Sequence, residues 1–284
     1  MENIVAKTKE LCRIYDIKPA RSKGQNFLIN EGIYKAIINA AEIDPKDTVL
    51  EVGPGLGFLT AELSRKAARI IAVELDDKLA GILTIAIDSQ DVENVEIINQ
   101  DILNFNPAEY FAPDEQYCIV ANLPYNITSI FLRTFLTSAR PPKSLVVMLQ
   151  KEVAERIITT APDMTLLSLS IQYYGTPRIV KIVPSSDFWP APAVDSAILH
   201  FSYDRPLPNL ESLAADKHFF RVARIGFSAK RKMLKNNLQG GLKLSAENVE
   251  KALLRANIDL KTRAEDLSLE KWQDLVASIT PFVL

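Results

Sequence analysis

Short apolar runs recur along the first two hundred residues, each closed by a turn residue, an amide or a carboxylate. Residues 48–52, 69–73, 95–98, 117–121 and 144–149 are such runs, rich in Val, Ile and Leu. Near-continuous apolarity over four to six residues reads as a strand buried on both faces, the habit of parallel sheets. Between them, 58–66 and 126–136 carry helical spacing, so strand and helix alternate and predict a doubly wound α/β sheet. Two later runs, 178–183 and 196–201, are joined by the proline-rich stretch 184–194, which leaves no room for a helical crossover. They are therefore expected to pair antiparallel. A second proline-rich stretch, 204–209, marks a boundary. Beyond it the pattern is helical throughout, with Ser245 and Ser268 as expected N-caps, each followed by Glu two residues later. The reading is two domains: 1–205, a Rossmann-like α/β domain with an N-terminal arm, and 206–284, a small all-α domain.

The strand ends carry the chemistry. The first run leads into Glu51-Val52-Gly53-Pro54-Gly55-Leu56-Gly57, a glycine turn opening a helix. Such a turn lets backbone approach a ligand closely. A dinucleotide fingerprint would place its third glycine at 58, and that residue is Phe58. The second run ends at Glu74, placed to accept ribose hydroxyls, and the third leads to Asp101, placed to accept an adenine amine. The fourth ends in Asn122-Leu123-Pro124-Tyr125. Asn and Pro there are also ordinary turn formers. Chemically, however, the Asn122 amide oxygen and the Leu123 carbonyl can accept both N–H groups of an aromatic amine, sharpening a nitrogen whose lone pair is otherwise delocalised into its ring. Tyr125 offers a face for stacking.

These residues resemble the S-adenosylmethionine-dependent methyltransferases, and more narrowly the ribosomal RNA adenine dimethyltransferases. Gly24-Gln25-Asn26-Phe27-Leu28 is similar to their cofactor-covering motif, and Asn122 to Ile127 to their catalytic motif. Leu149 to Val153, Phe188 to Ala197 and Phe227 to Leu238, the last similar to a basic helix, follow in the family's order. The likeness spans about residues 20–275 and is strongest to the KsgA type, which modifies small-subunit RNA. It implies a seven-stranded methyltransferase sheet. It also implies a cofactor site formed by Asn26, Leu28, Gly53, Gly55, Glu74, Asp101 and Asn122, and a catalytic set of Asn122, Leu123, Tyr125 and Phe188. Two departures stand out: the segment Asp163 to Leu169, where the family often has a Tyr-Gly before its Leu-Ser, and Pro190-Ala191-Pro192, where a third consecutive proline is common. The first bears on a loop, the second on the shape of the target-base pocket.

Net charge is −2, which by itself argues against nucleic acid. Its distribution reverses that. From Lys217 to Lys235 seven Lys and Arg occur without one Asp or Glu, Arg221, Arg224, Lys230, Arg231, Lys232 and Lys235 among them. A solvated helix face is the ordinary reading of such a run. With the methyltransferase motifs present, phosphate binding is the expected one. Lys18, Arg21 and Lys23 form a second cluster beside the arm. Two cysteines and two histidines, all scattered, predict no metal site and no histidine triad. No stretch approaches the roughly 18 apolar residues of a membrane span, and no signal run opens the chain, so a cytoplasmic location is expected.

The resemblance implies N6,N6-dimethylation of two adjacent adenosines in a hairpin loop near the 3′ end of small-subunit ribosomal RNA. The partner would be an immature small subunit, met by a monomeric enzyme. Alternatives are an Erm-type methyltransferase acting on large-subunit RNA, a ribosome-assembly factor whose catalysis is incidental and, more distantly, an NAD-dependent dehydrogenase.

Overall fold

Five apolar runs become five adjacent parallel strands. The computed structural model describes residues 4–19, 25–124, 126–206 and 210–283. Its strands are β1 (Phe27–Leu28), β2 (Thr48–Val52), β3 (Arg69–Glu74), β4 (Val95–Asn99), β5 (Tyr117–Asn122), β6 (Ser144–Gln150), β7 (Gly175–Val183), β8 (Phe188–Trp189) and β9 (Ser196–Tyr203). Seven form one sheet in the order β4-β3-β2-β5-β6-β9-β7. β4, β3, β2, β5 and β6 run parallel, and β9 returns antiparallel to β6 with Met148 opposite Ile198. β7 takes the edge beside β9, which is where a strand containing Pro177 belongs, since proline cannot donate to a ladder.

Strand order reverses between β2 and β5, because β3 and β4 build outward on one side and β5 and β6 on the other. Open α/β sheets bind ligands at such a switch point. Burial follows the same geometry: Val49, Ile70, Val120 and Ile198 are fully buried in one apolar cluster with Ile33 and Ile37. Those two isoleucines come from α2 (Glu31–Ala41), which follows α1 (Ile4–Ile14) and is N-capped by Asn30. Further helices are α3 (Phe58–Ser64), α4 (Asp77–Asp88), α5 (Pro107–Tyr110), α6 (Thr128–Leu136), α7 (Lys151–Ile158) and α8 (Leu166–Gln172). The C-terminal region adds α9 (Leu210–Gly226), α10 (Leu234–Leu242), α11 (Ala246–Arg255) and α12 (Leu269–Ile279).

The chain divides into two compact units: Met1–Ala154 with Thr176–Asp204, and Glu155–Gly175 with Arg205–Leu284. It thus crosses between units at three points. Only the last has a compositional signal, Pro206 and Pro208, and residues 207–209 of that stretch lie outside the described ones. Segment 155–175 belongs to the helical unit because its side chains find partners there. The Tyr173 hydroxyl donates to Asp216 at 2.8 Å, and its ring stacks on Phe219 with centroids 4.3 Å apart. Arg205 lies 4.4 Å from the Tyr173 ring centroid and pairs with the same Asp216 at 3.1 Å.

One expectation is corrected here. Residues 227–233, read as part of a basic helix, are a turn between α9 and α10. The helix ends where Gly226 lies against the buried Trp272 ring, which a Cβ there would approach to 2.4 Å, and Phe227 stacks on that same ring. The Asn237 amide then donates to the carbonyls of Gly226 and Ala229, satisfying groups that a continuing helix would have used. Ser245 and Ser268 cap α11 and α12 through Asn248 and Lys271 backbone N–H groups.

Candidate active site

A cleft of about 410 Å3 opens at the carboxyl ends of β2, β3 and β5. Its floor is the glycine turn. Gly53, Gly55 and Gly57 all have positive φ, which side-chain-bearing residues rarely adopt. Two of them are also crowded. A Cβ on Gly57 would meet Leu83 of α4 at 2.5 Å, and one on Gly53 would meet the Asn122 carbonyl oxygen at 3.3 Å. Glycine at 53 therefore lets the turn after β2 lie against the end of β5.

Three carboxylates face the cleft in different states. Glu74, 7% exposed, accepts the Gly55 N–H at 3.1 Å through Oε2 and the Asp76 N–H at 2.9 Å through Oε1. Burial pushes its pKa up, and these backbone donors oppose the shift. Asp101 spends Oδ1 on the Leu103 N–H at 2.9 Å, capping the short 3-10 turn Ile102–Asn104. Glu51 is 1% exposed, and neither of its oxygens has a hydrogen-bond partner among the described residues. Burial pushes it up to about 8, and nearby Glu74 adds to the rise. A buried carboxyl with open acceptor positions facing a cleft is suited to a cationic or hydrogen-bond-donating ligand group.

The arm forms the opposite wall. β1 pairs antiparallel with β8, Phe27 opposite Trp189 and Leu28 opposite Phe188. The Tyr34 hydroxyl of α2 holds the Leu28 carbonyl at 2.8 Å, and the Gln25 amide donates to Asp76 at 3.2 Å. Asn26, Leu28, Gly53, Gly55, Glu74, Asp101 and Asn122 all line the one cleft. Gly24, Arg21 and Lys23 lie outside the described residues.

The expected catalytic residues are placed less uniformly. Asn122 lines the cleft, and its side chain makes no hydrogen bond among the described residues. Leu123 is buried, its N–H donating to the Met148 carbonyl at 3.1 Å. Tyr125 lies outside the described residues; Pro124 and Asn126 on either side of it line the cleft. Phe188 differs from expectation. It is 4% exposed and packs in the core with Leu28 and Ile33, because pairing with β1 turns its ring inward. Glu51 apart, Tyr34 and Leu75 are lining residues that motif reading passed over. Leu75 carried a signal: an apolar residue directly after a strand-end carboxylate, and it stands 64% exposed.

In the helical unit Arg221 and Arg224 are exposed on α9, and Lys230, Arg231 and Lys232 are exposed in the following turn. Lys235 is half-buried on α10 and pairs with Glu250 at 3.3 Å, so its charge is partly committed. Among the described residues no group of three His, Cys, Asp or Glu is placed to hold a metal, and no helix is long and apolar enough to cross a membrane.

The reversed strand order, the glycine turn and successive strand-end acids define a Rossmann-like methyltransferase. The chain belongs to the ribosomal RNA adenine dimethylase family, whose model matches residues 18–280. It is 44% identical over 273 residues to the ribosomal RNA small subunit methyltransferase A of Dehalococcoides mccartyi, covering 96% of this chain and 92% of that one. With the protein of the same name from Bacillus pumilus identity is 38% over 95% of this chain and 94% of the relative. Among solved structures, a dimethyladenosine transferase from Plasmodium falciparum shares the fold with a TM-score of 0.74 at 24% identity, covering 89% and 96% of the two chains. The 23S rRNA methyltransferase ErmE gives 0.71 at 26% identity, covering 90% and 100%. The enzyme is thus an S-adenosylmethionine-dependent methyltransferase acting on ribosomal RNA.

Proposed function

We infer that this enzyme dimethylates N6 of two adjacent adenosines in a hairpin loop near the 3′ end of small-subunit ribosomal RNA. The observation that carries the reading is the uncommitted Asn122 side chain, which shares one cleft with the other six expected cofactor residues. The residues fit the cofactor. Glu74 retains lone pairs for ribose hydroxyls, Asp101 Oδ2 is open for an adenine amine, Leu75 and Ile102 give apolar surface, and Glu51 faces the cleft with both oxygens unpartnered. When bound, the cofactor supplies a methyl group on a sulfonium, already a good electrophile with a neutral leaving group.

What remains for the protein is alignment and charge stabilisation. The Asn122 amide oxygen and the Leu123 carbonyl accept the two amine N–H groups and favour a pyramidal nitrogen with its lone pair facing the methyl. Positive charge developing on that nitrogen is stabilised by the same two oxygens. No strong base is required, since the proton is acidic once the nitrogen is alkylated. Tyr125 provides the stacking face for an extruded loop adenine, and Phe188 backs the wall behind it. Loop bases are extruded at modest cost. The cations of α9 and its following turn bind phosphates.

Relatives at 38–44% identity are named for the small subunit, whereas the likeness to ErmE is 26%, which favours small-subunit over large-subunit RNA. An immature small subunit is the proposed partner, met by a monomer in the cytoplasm. Incubating the enzyme and labelled cofactor with immature small subunits or with naked large-subunit RNA, then digesting and weighing the nucleosides, tests this. Dimethyladenosine confined to the first substrate supports the reading; methylation of the second alone overturns it.

A further inference from the structure

The two-stranded β1–β8 sheet stands apart from the main sheet, yet it joins a wall of the cofactor cleft to the segment that opens the target-base motif. One residue ties the two together. Asp187, immediately before β8, accepts twice from the chain immediately after β1: its carbonyl takes the Ile29 N–H at 2.8 Å, and its Oδ1 takes the Asn30 side-chain N–H at 2.9 Å. Asn30 is fixed in turn, since its own amide oxygen caps α2 through the Gly32 N–H at 2.9 Å. On the far side, Asp195 Oδ1 accepts the Ser185 N–H at 2.9 Å, and the Asp195 carbonyl accepts the Lys151 N–H at 3.0 Å. The run 185–195 is thereby pinned at both ends, with Asp187 making its only side-chain hydrogen bond to the arm among the described residues, beside the apolar packing of Phe188 with Leu28.

We propose that Asp187 is a positioning residue that makes residues 26–28, which line the cofactor cleft, and the Phe188–Trp189 segment one clip, so that cofactor contact with the first orders the second. The two-residue pairing of β1 and β8 is too short to hold by ladder bonds alone, as isolated two-stranded pairings are marginal in water. Core packing of Leu28 and Phe188 supplements the ladder, and the Asp187–Asn30 bond adds a polar tie at its end. Coupling of this kind is a free energy shared between two sites, and it is lost when the connecting element is cut. The inference rests on the methyltransferase reading for its purpose, but its geometry does not depend on which RNA is methylated.

Hydrogen exchange on the full-length protein, with S-adenosylhomocysteine as the probe, tests the clip without RNA. In the unaltered protein the probe should slow exchange across residues 185–190 at least about fivefold, the lower end of ordinary coupling between sites. Asp187→Ala should keep the slowing at residues 26–28 and lose it at 185–190, while Asp187→Asn, which retains an acceptor, should restore it. Asn30→Ser keeps an oxygen to cap α2 but cannot reach Asp187, and should behave like Asp187→Ala even if that variant folds poorly. In methyl transfer, Asp187→Ala should lower the single-turnover rate at saturating cofactor and Asp187→Asn should recover it. Equal slowing at 185–190 in the unaltered protein, Asp187→Ala and Asn30→Ser, or none in the unaltered protein, overturns the clip. Absent methylation by an unaltered protein that shows the exchange pattern would instead overturn the substrate reading alone.

Discussion

Glu74 holds Gly55 in place: its Oε2 accepts the Gly55 N–H at 3.1 Å, so the acid at the end of β3 also shapes the turn after β2. Two consequences follow from one side chain. Glu74→Ala removes the ribose acceptor and leaves the Gly55 and Asp76 N–H groups unpaired. Cofactor affinity should fall by about 1–3 kcal/mol, the usual cost of unsatisfied polar groups. Calorimetry with S-adenosylhomocysteine measures this directly, and unchanged affinity would remove Glu74 from the site.

Gly57→Ala should destabilise the fold. The substitution places a Cβ 2.5 Å from Leu83 at a residue with φ of 81°. Overpacking and left-handed strain together should cost about 1–3 kcal/mol. Combining it with Leu83→Ala relieves the clash and not the strain, so in denaturant melts the paired changes should be less than additive.

Glu51 makes stability depend on pH in a fixed direction. Its pKa rises on folding to about 8 from the usual carboxylate range, so between those values the unfolded chain is ionised there and the folded one is not. The unfolded state then binds fewer protons, and stability falls as pH rises from about 4.5 to 8. Glu51→Gln keeps the shape without the titration. Its stability relative to the unaltered protein should therefore improve between pH 5 and pH 8, by at most about 1.4 kcal/mol per unit. A difference that stays constant across this range in thermal melts would show that Glu51 does not titrate so.

Much of this was legible in the sequence, for physical reasons. Strands buried on both faces must be apolar throughout, so residues 48–52 and 117–121 announced themselves, and Glu74, Asp101 and Asn122 at or just past strand ends line one cleft. Less was legible where partners are remote. Nothing local marks 155–175 as part of the helical unit, because Tyr173 meets Asp216 only through tertiary packing. The turn at 227–233 is held by contacts to later residues, Phe227 stacking on Trp272 and Asn237 bonding the Gly226 and Ala229 carbonyls. Phe188 was expected in the catalytic set, yet it pairs within a two-residue strand and packs in the core.

RNA affinity should fall when Arg231 and Lys232 are both replaced by Glu, with cofactor affinity unchanged, since both residues are exposed and belong to a different unit from the cleft. Each lost phosphate contact should reduce the slope of log affinity against log salt by about 0.7–0.9. A wild-type slope in the double variant would mark the turn as merely solvated.

Tyr125→Ala should lose a stacking surface worth roughly 1–3 kcal/mol per base, whereas Tyr125→Phe keeps that surface and should be nearly silent. Fluorescence titration of a hairpin carrying 2-aminopurine at the target position separates the two. Equal weakening in both variants would point to the hydroxyl and not to stacking.

The central claim is that Asn122 activates an aromatic amine by accepting its N–H. The most direct measurement is the single-turnover rate of Asn122→Ala at saturating S-adenosylmethionine on a small subunit containing the hairpin. Loss of one preorganised electrostatic partner predicts a rate lower by about 10²–10³, with folding and RNA binding retained. The second methylation should suffer more than the first, since only one N–H then remains to orient the nitrogen. A wild-type rate would contradict the mechanism and return Asn122-Leu123-Pro124-Tyr125 to the status of a turn.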